Sequence, residues 1–140
     1  MLFQISKVGI ALSIATAVNA HYTLVYPNPV GTYSDVDMPI GPCDGYDPTT
    51  VTTFQDYPWR GEAVSLFTTH PSVIWNFNVA LFSDVKNDQP AFIPMTENVQ
   101  QNNGTGELCF GQVPGKKEWV GQKAIIQMIQ NAPDGKLYTV

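Results

Sequence analysis

Residues 73–82, Val-Ile-Trp-Asn-Phe-Asn-Val-Ala-Leu-Phe, alternate from face to face along the chain. Trp75, Phe77, Val79 and Leu81 fall on one side, while Asn76 and Asn78 fall on the other. That is the pattern of a half-buried β-strand, whose side chains point alternately to opposite faces. The bulk of Trp75 and Phe77 marks their face as the core side of a sandwich. Working outward, residues 62–67 alternate more weakly, with Ala63, Ser65 and Phe67 sharing a face. Tyr22–Tyr26, residues 107–113, residues 123–130 and residues 136–140 read as further strands. Asn131-Ala132-Pro133-Asp134-Gly135 is a turn signal that joins the last two as a hairpin.

Between these strands the chain is punctuated. Residues 27–48 hold five prolines and three glycines, which predicts an irregular surface excursion. Residues 84–106 are polar and mixed, and read as a crossing between sheets. Only the stretch around residues 119–129 is ambiguous between helical and strand periodicity. Six or so short strands with Pro- and Gly-rich connections predict an all-β fold, an immunoglobulin-like antiparallel β-sandwich.

Residues 1–20 read as a secretory signal: Lys7 is the positive n-region, residues 8–18 are an apolar run, and Val18-Asn19-Ala20 suits cleavage after Ala20. The apolar run is too short to span a bilayer. The remainder, residues 21–140, is expected to be one domain, exported to the extracellular space or cell surface. Net charge is −5 and becomes −6 once Lys7 leaves, with the other basic residues scattered. No phosphate-neutralising stripe results, so nucleic acid is excluded as a partner. No other apolar run is long enough for a transmembrane helix, and no hydrophobic C-terminal tail signals a lipid anchor.

Two cysteines, Cys43 and Cys109, in an exported chain predict a disulfide. It would close a loop of roughly 65 residues and contribute about 3–5 kcal/mol. Asn103-Gly104-Thr105 is an N-glycosylation sequon in a polar stretch, which predicts a surface loop and a glycoprotein.

Cleavage after Ala20 makes His21 the first residue of the mature chain. Its α-amine and imidazole Nδ1 then sit on one residue and can chelate one metal. The chain has one other histidine, His70, and its imidazole completes a three-nitrogen set. Copper suits such a set in a T-shaped or tetragonal arrangement. His70 precedes Pro71, which favours extended backbone. The expectation is a strand end with the ring pointing out of the sandwich edge and an exposed, exchangeable metal.

The residues from His21 to Gly31, His-Tyr-Thr-Leu-Val-Tyr-Pro-Asn-Pro-Val-Gly, resemble the mature start of the fungal copper-acquisition-factor-like family. These are secreted or cell-surface proteins similar in structure to lytic polysaccharide monooxygenases. Gly41-Pro42-Cys43-Asp44-Gly45-Tyr46 resembles that family's first cysteine motif, and His70 lies where its second histidine falls. Glu107-Leu108-Cys109 resembles a family Glu-Phe-Cys element, and residues 131–138 resemble its turn into Leu-Tyr. The resemblance implies a histidine brace: His21 binding copper through amine and Nδ1, His70 through Nε2. It also implies a carboxylate near the metal, for which Asp134 is the candidate and Asp84 a poorer one. Asp134 equally suits a structural role in its turn. In the family the Leu-Tyr element runs on into another cysteine and a further strand. Here the chain reaches only Val140, so the expectation is a shortened product with an uncovered sheet edge.

Three functions fit these residues. The first is extracellular copper capture for acquisition or homeostasis, with handover to a membrane copper transporter. The second is copper-dependent oxidative cleavage of cell-wall polysaccharide, with Tyr138 in an axial role and Tyr33, Tyr57 and Trp59 as a sugar-stacking surface. The third is a metal-free adhesive role. The resemblance favours the first. Conventional hydrolysis finds no nucleophile motif in the chain.

Overall fold

The computed structural model describes residues 21–31, 34, 36–86 and 89–139. Residues 1–20, with the expected signal, and Tyr33 lie outside the described residues. The strands in chain order are β1 (Tyr22–Tyr26), β2 (Glu62–Thr68), β3 (Val73–Leu81), β4 (Ile93–Pro94), β5 (Val99–Gln101), β6 (Gly106–Val113), β7 (Ala124–Asn131) and β8 (Leu137–Thr139). They form two antiparallel sheets. One is β1-β2-β6. The other has β3, β7 and β8 side by side, with β4 and β5 sharing the far edge of β3. The protein is an all-β sandwich, as the alternation predicts.

The stretch at 73–82 organises the core. Trp75, Phe77 and Val79 are buried on the inner face of β3 and pair across β7 with Gln130, Met128 and Ile126. From the opposite sheet Tyr22, Val64, Leu66 and Leu108 pack against them. The Tyr22 and Trp75 rings meet edge to face at 4.9 Å, and Phe110 lies 5.6 Å from Trp75 and 5.2 Å from Phe77. Such offset and T-shaped contacts are favoured by the ring quadrupoles. The Tyr22 hydroxyl crosses the core to donate to the Met128 carbonyl at 2.7 Å. On β2 the buried face is Val64, Leu66 and Thr68. Ala63, Ser65 and Phe67 do share a face, and it is the outer one, where Phe67 is 47% exposed.

The ambiguous stretch at 119–129 resolves into a short 3₁₀ turn at Lys117–Trp119 followed by β7. The polar crossing at 84–106 contains two strands that the pattern did not announce, β4 and β5. Strands of two and three residues are too short to display an alternation. The long excursion after β1 folds back on the five-stranded sheet: Gln127 Nε2 donates to the Pro42 carbonyl at 2.6 Å. The edge expected to be uncovered is partly covered, because the Thr139 amide of β8 donates to the Met38 carbonyl at 2.9 Å.

The expected disulfide is absent: Cys43 and Cys109 are both free. Cys43 is buried in the excursion, beside Pro42 and Asp44, which bond to Gln127 and to Thr139. Cys109 is exposed on β6, opposite Ser65 on the outer face of the three-stranded sheet. The two thiols therefore lie on opposite outer sides of the sandwich. Packed sheets are about 10 Å apart, whereas a disulfide needs Cα atoms within about 7 Å. Burial, with the neighbouring charge of Asp44, pushes the Cys43 thiol up to about 12, so it stays protonated at neutral pH.

Candidate metal centre

The register of β1 on β2 brings the two histidines to one end of the sandwich. Tyr22 pairs with Thr68, and the next residues out are joined as well. The Thr69 amide donates to the His21 carbonyl at 3.0 Å, and the His21 amide donates to Thr69 Oγ1 at 2.7 Å. Thr69 Oγ1 in turn donates to the His21 carbonyl at 2.9 Å. His70 follows Thr69 directly, so it is the diagonal neighbour of His21 across the strand pair.

His70 is not exposed at the edge, as its position before Pro71 suggested. It is only 7% exposed. Its backbone amide donates to Thr68 Oγ1 at 3.1 Å, and its carbonyl accepts from Gln101 Nε2 at 3.0 Å. Gln101 is held by the Trp75 indole N–H at 3.0 Å and also donates to the Gly104 carbonyl at 2.7 Å. The β5–β6 connection is thereby drawn over the His70–Pro71 backbone, which is why the residue is buried.

The ring of His70 is oriented by Gln130, which is fully buried beside Trp75 on β7. Gln130 Nε2 donates to Thr68 Oγ1 at 2.8 Å, so its Oε1 is the atom turned toward His70 Nδ1, 3.0 Å away. An amide oxygen only accepts, so with the amide in this orientation the neutral ring holds its proton on Nδ1 and its lone pair on Nε2. Metal-binding imidazoles are commonly fixed in this way by a hydrogen bond from the second ring nitrogen. Thr68, Gln101 and Gln130 were not singled out from the sequence. Their only signal there is a polar side chain at an inward position of an otherwise apolar strand face, as Thr68 follows Val64 and Leu66.

The carboxylate candidates separate. Asp134 lies in the β7–β8 turn, at the same end as His70, because Asn131 at the end of β7 pairs with Ile74 at the start of β3. It is exposed, and its Oδ1 accepts the Lys136 amide at 3.0 Å, which stabilises the turn. Asp84 lies beyond the other end of β3, in the short turn Phe82–Asp84. A nine-residue strand at about 3.3 Å per residue puts it nearly 30 Å from His70. Asp84 is therefore excluded as a ligand to a metal held there. Tyr138 occupies the register position across from Gln130.

The aromatic residues offered as a sugar platform are also remote. Tyr57 donates to the Val113 carbonyl at 2.7 Å, at the Glu62 end of β2. That end is opposite to Thr68 and His70. Trp59, in the same loop, is 40% exposed and has the Arg60 guanidinium 5.2 Å from its ring centroid. Neither is next to the histidines. Among the described residues, no three His, Cys, Asp or Glu side chains converge on a metal position. The fold brings the two histidines to the same end of the sandwich.

A family model described as copper acquisition factor BIM1-like matches residues 19–139. The lytic polysaccharide monooxygenase-like protein X325 of Yarrowia lipolytica (strain CLIB 122 / E 150) is 30% identical over 142 residues, covering 96% of this chain and 52% of that protein. The chain thus spans about half the length of the curated relative it matches. With the family match running across both histidines and every strand of the sandwich, the chain belongs to the BIM1-like copper acquisition factor family.

Proposed function

We propose that the protein captures copper outside the cell through a centre made of the freed α-amine and Nδ1 of His21 together with Nε2 of His70. The observation that carries this reading is the Gln130–His70 hydrogen bond. It selects the tautomer whose Nε2 can bind a metal, beside a strand pair that ends at His21. The family membership supports copper as the metal. Removal of residues 1–20 turns the His21 amide into an amine, which has an unperturbed pKa near 8, so copper must displace its proton. Thr69 Oγ1 accepts from that nitrogen already, and an amine can keep the same bond while its lone pair faces the metal. Asp134, at the same end, is the carboxylate proposed to approach the copper. Handover to a membrane transporter would follow from such a partly accessible cargo site.

A second reading, oxidative cleavage of polysaccharide, is favoured by the name of the 30% identical relative. Against it stands the distance of Tyr57 and Trp59 from the histidines, since a polymer-cleaving centre needs a substrate surface around it. Copper loading of the processed protein, followed by electron paramagnetic resonance, tests the proposal, with peroxide-driven cleavage of several polysaccharides run on the same sample. The expected result is one nitrogen-coordinated Cu(II) per chain without release of oxidised sugars. Release of oxidised sugars would establish the second reading, and the absence of any Cu(II) signal would remove both.

Gln130 is assigned a positioning role by the same geometry. Gln130→Leu is expected to weaken copper binding about 10–100-fold, the usual effect of losing the partner behind a metal-binding histidine. Gln130→Glu keeps an acceptor for Nδ1–H and is expected to restore most of the affinity. Equal losses in both variants, measured by competitive copper titration, would mean that Gln130 acts through packing alone.

A further inference from the structure

We propose that Asn103 carries an N-linked glycan, and that this glycan stands at the histidine end of the sandwich, beside the copper centre. The inference rests on the export reading above, because the modification is made on exported chains. Asn103-Gly104-Thr105 is the only Asn-X-Ser/Thr sequence in the chain. In the structure it forms the connection between β5 and β6, and both Asn103 and Thr105 are exposed. Gly104 has φ +92°, a left-handed conformation that favours glycine and turns the chain sharply between the two sequon side chains.

The connection is anchored on its inner side. Asn102 Oδ1 accepts from Ser72 Oγ at 2.6 Å and from Gln100 Nε2 at 3.1 Å. The Gly104 amide donates to the Pro71 carbonyl at 3.1 Å, and Gln101 Nε2 bridges the carbonyls of His70 and Gly104. Asn103 is therefore one residue from a backbone bond to Pro71 and two from Gln101, the residue that binds the His70 carbonyl. A side chain so placed is exposed on a pinned loop at the metal end.

The reaction is an ordinary glycosyl transfer with no redox change. Asn103 Nδ2 forms a bond to the anomeric carbon of an oligosaccharide carried on a polyprenyl diphosphate. The anomeric C–O bond breaks, the lipid diphosphate leaves with the electron pair, and one amide proton is released. The product is a bulky, hydrated group beside His21 and His70. It would obstruct a broad polymer surface approaching that end and leave the centre open to a small ion.

The full chain, secreted from a fungal host behind its own leader and separately behind a leader of proven function, is analysed by intact mass before and after enzymatic N-glycan release. Expected are a mass above that of the bare polypeptide, its loss on glycan release, and its loss in Asn103→Gln and Thr105→Ala but not in Thr105→Ser. Secreted protein at the bare polypeptide mass would overturn the proposal. Failure of export behind the native leader alone would count against the capture reading, while the second leader still decides the glycan. Placement is read by nuclear magnetic resonance on the isotopically labelled glycan. Cu(II), its binding verified in the same sample, should broaden the core sugar signals, and unbroadened signals would overturn the placement beside the centre.

Discussion

Adding one residue ahead of His21 in the processed protein is expected to weaken copper binding at least about a hundredfold, by roughly 3 kcal/mol. The figure follows from structural metal sites, where about 10–16 kcal/mol is shared among four donors. The extension converts the α-amine into a peptide nitrogen, which surrenders its proton far less readily, and so removes a donor and breaks the chelate ring with Nδ1. His21→Ala removes the other donor of the pair, and the two changes together are expected to approach a loss of about ten-thousandfold on the same scale. Stability without copper should hardly change. His21 is joined to Thr69 through its backbone, and the extended chain retains the amide that donates to Thr69 Oγ1. Copper titration by calorimetry, with thermal unfolding of the metal-free protein alongside, checks both halves. Unchanged affinity in the extended form would sink the amine as a ligand, and a large loss of stability would make the affinity change a folding effect.

Trp75→Ala is expected to destabilise the fold by about 3–5 kcal/mol, the range for deleting a fully buried large aromatic side chain. That is a large share of the 5–15 kcal/mol by which domains are ordinarily stable. Trp75 is completely buried, meets the rings of Tyr22 and Phe110, and donates through its indole nitrogen to Gln101. The truncation leaves a cavity between the sheets and a buried Gln101 oxygen without its donor. Trp75→Phe keeps most of the ring contacts and loses that hydrogen bond, so about 1–3 kcal/mol is expected. Because Gln101 holds the His70 carbonyl, the Phe variant should also loosen the proposed copper centre. Urea unfolding curves give the two values. A Trp75→Ala loss below about 1 kcal/mol would mean that the sandwich closes around the gap, at the low extreme of core truncations.

The proposed histidine pair was legible in the chain because the cleavage expected after Ala20 and the scarcity of histidine single out His21 and His70. Their surroundings were not legible. The burial of His70 depends on the β5–β6 connection being drawn across it by Gln101, thirty-one positions away. Gln130, sixty positions away, is the hydrogen-bond partner of its Nδ1. Nothing in the local pattern around Gln101 or Gln130 separates these glutamines from solvated ones. The cysteines mislead for a related reason. Counting them says that a pair exists, while the sheet on which each one sits says whether the pair can close.

What the sequence determined by itself is six of the strands, β1, β2, β3, β6, β7 and β8, and the inward face of β3. A strand's pleat sends successive side chains to opposite faces, so alternation over a few neighbouring residues is enough to read them. The tertiary structure alone decided that β4 and β5 share the edge of β3 and that Cys43 and Cys109 face away from each other. It also decided that Asp84 is remote from the histidines, that Asp134 shares their end, and that Gln130 orients His70. Each of these depends on the register between strands far apart in the chain. Register is chosen by how the two inner faces fit when they close on one core, and no local period encodes it.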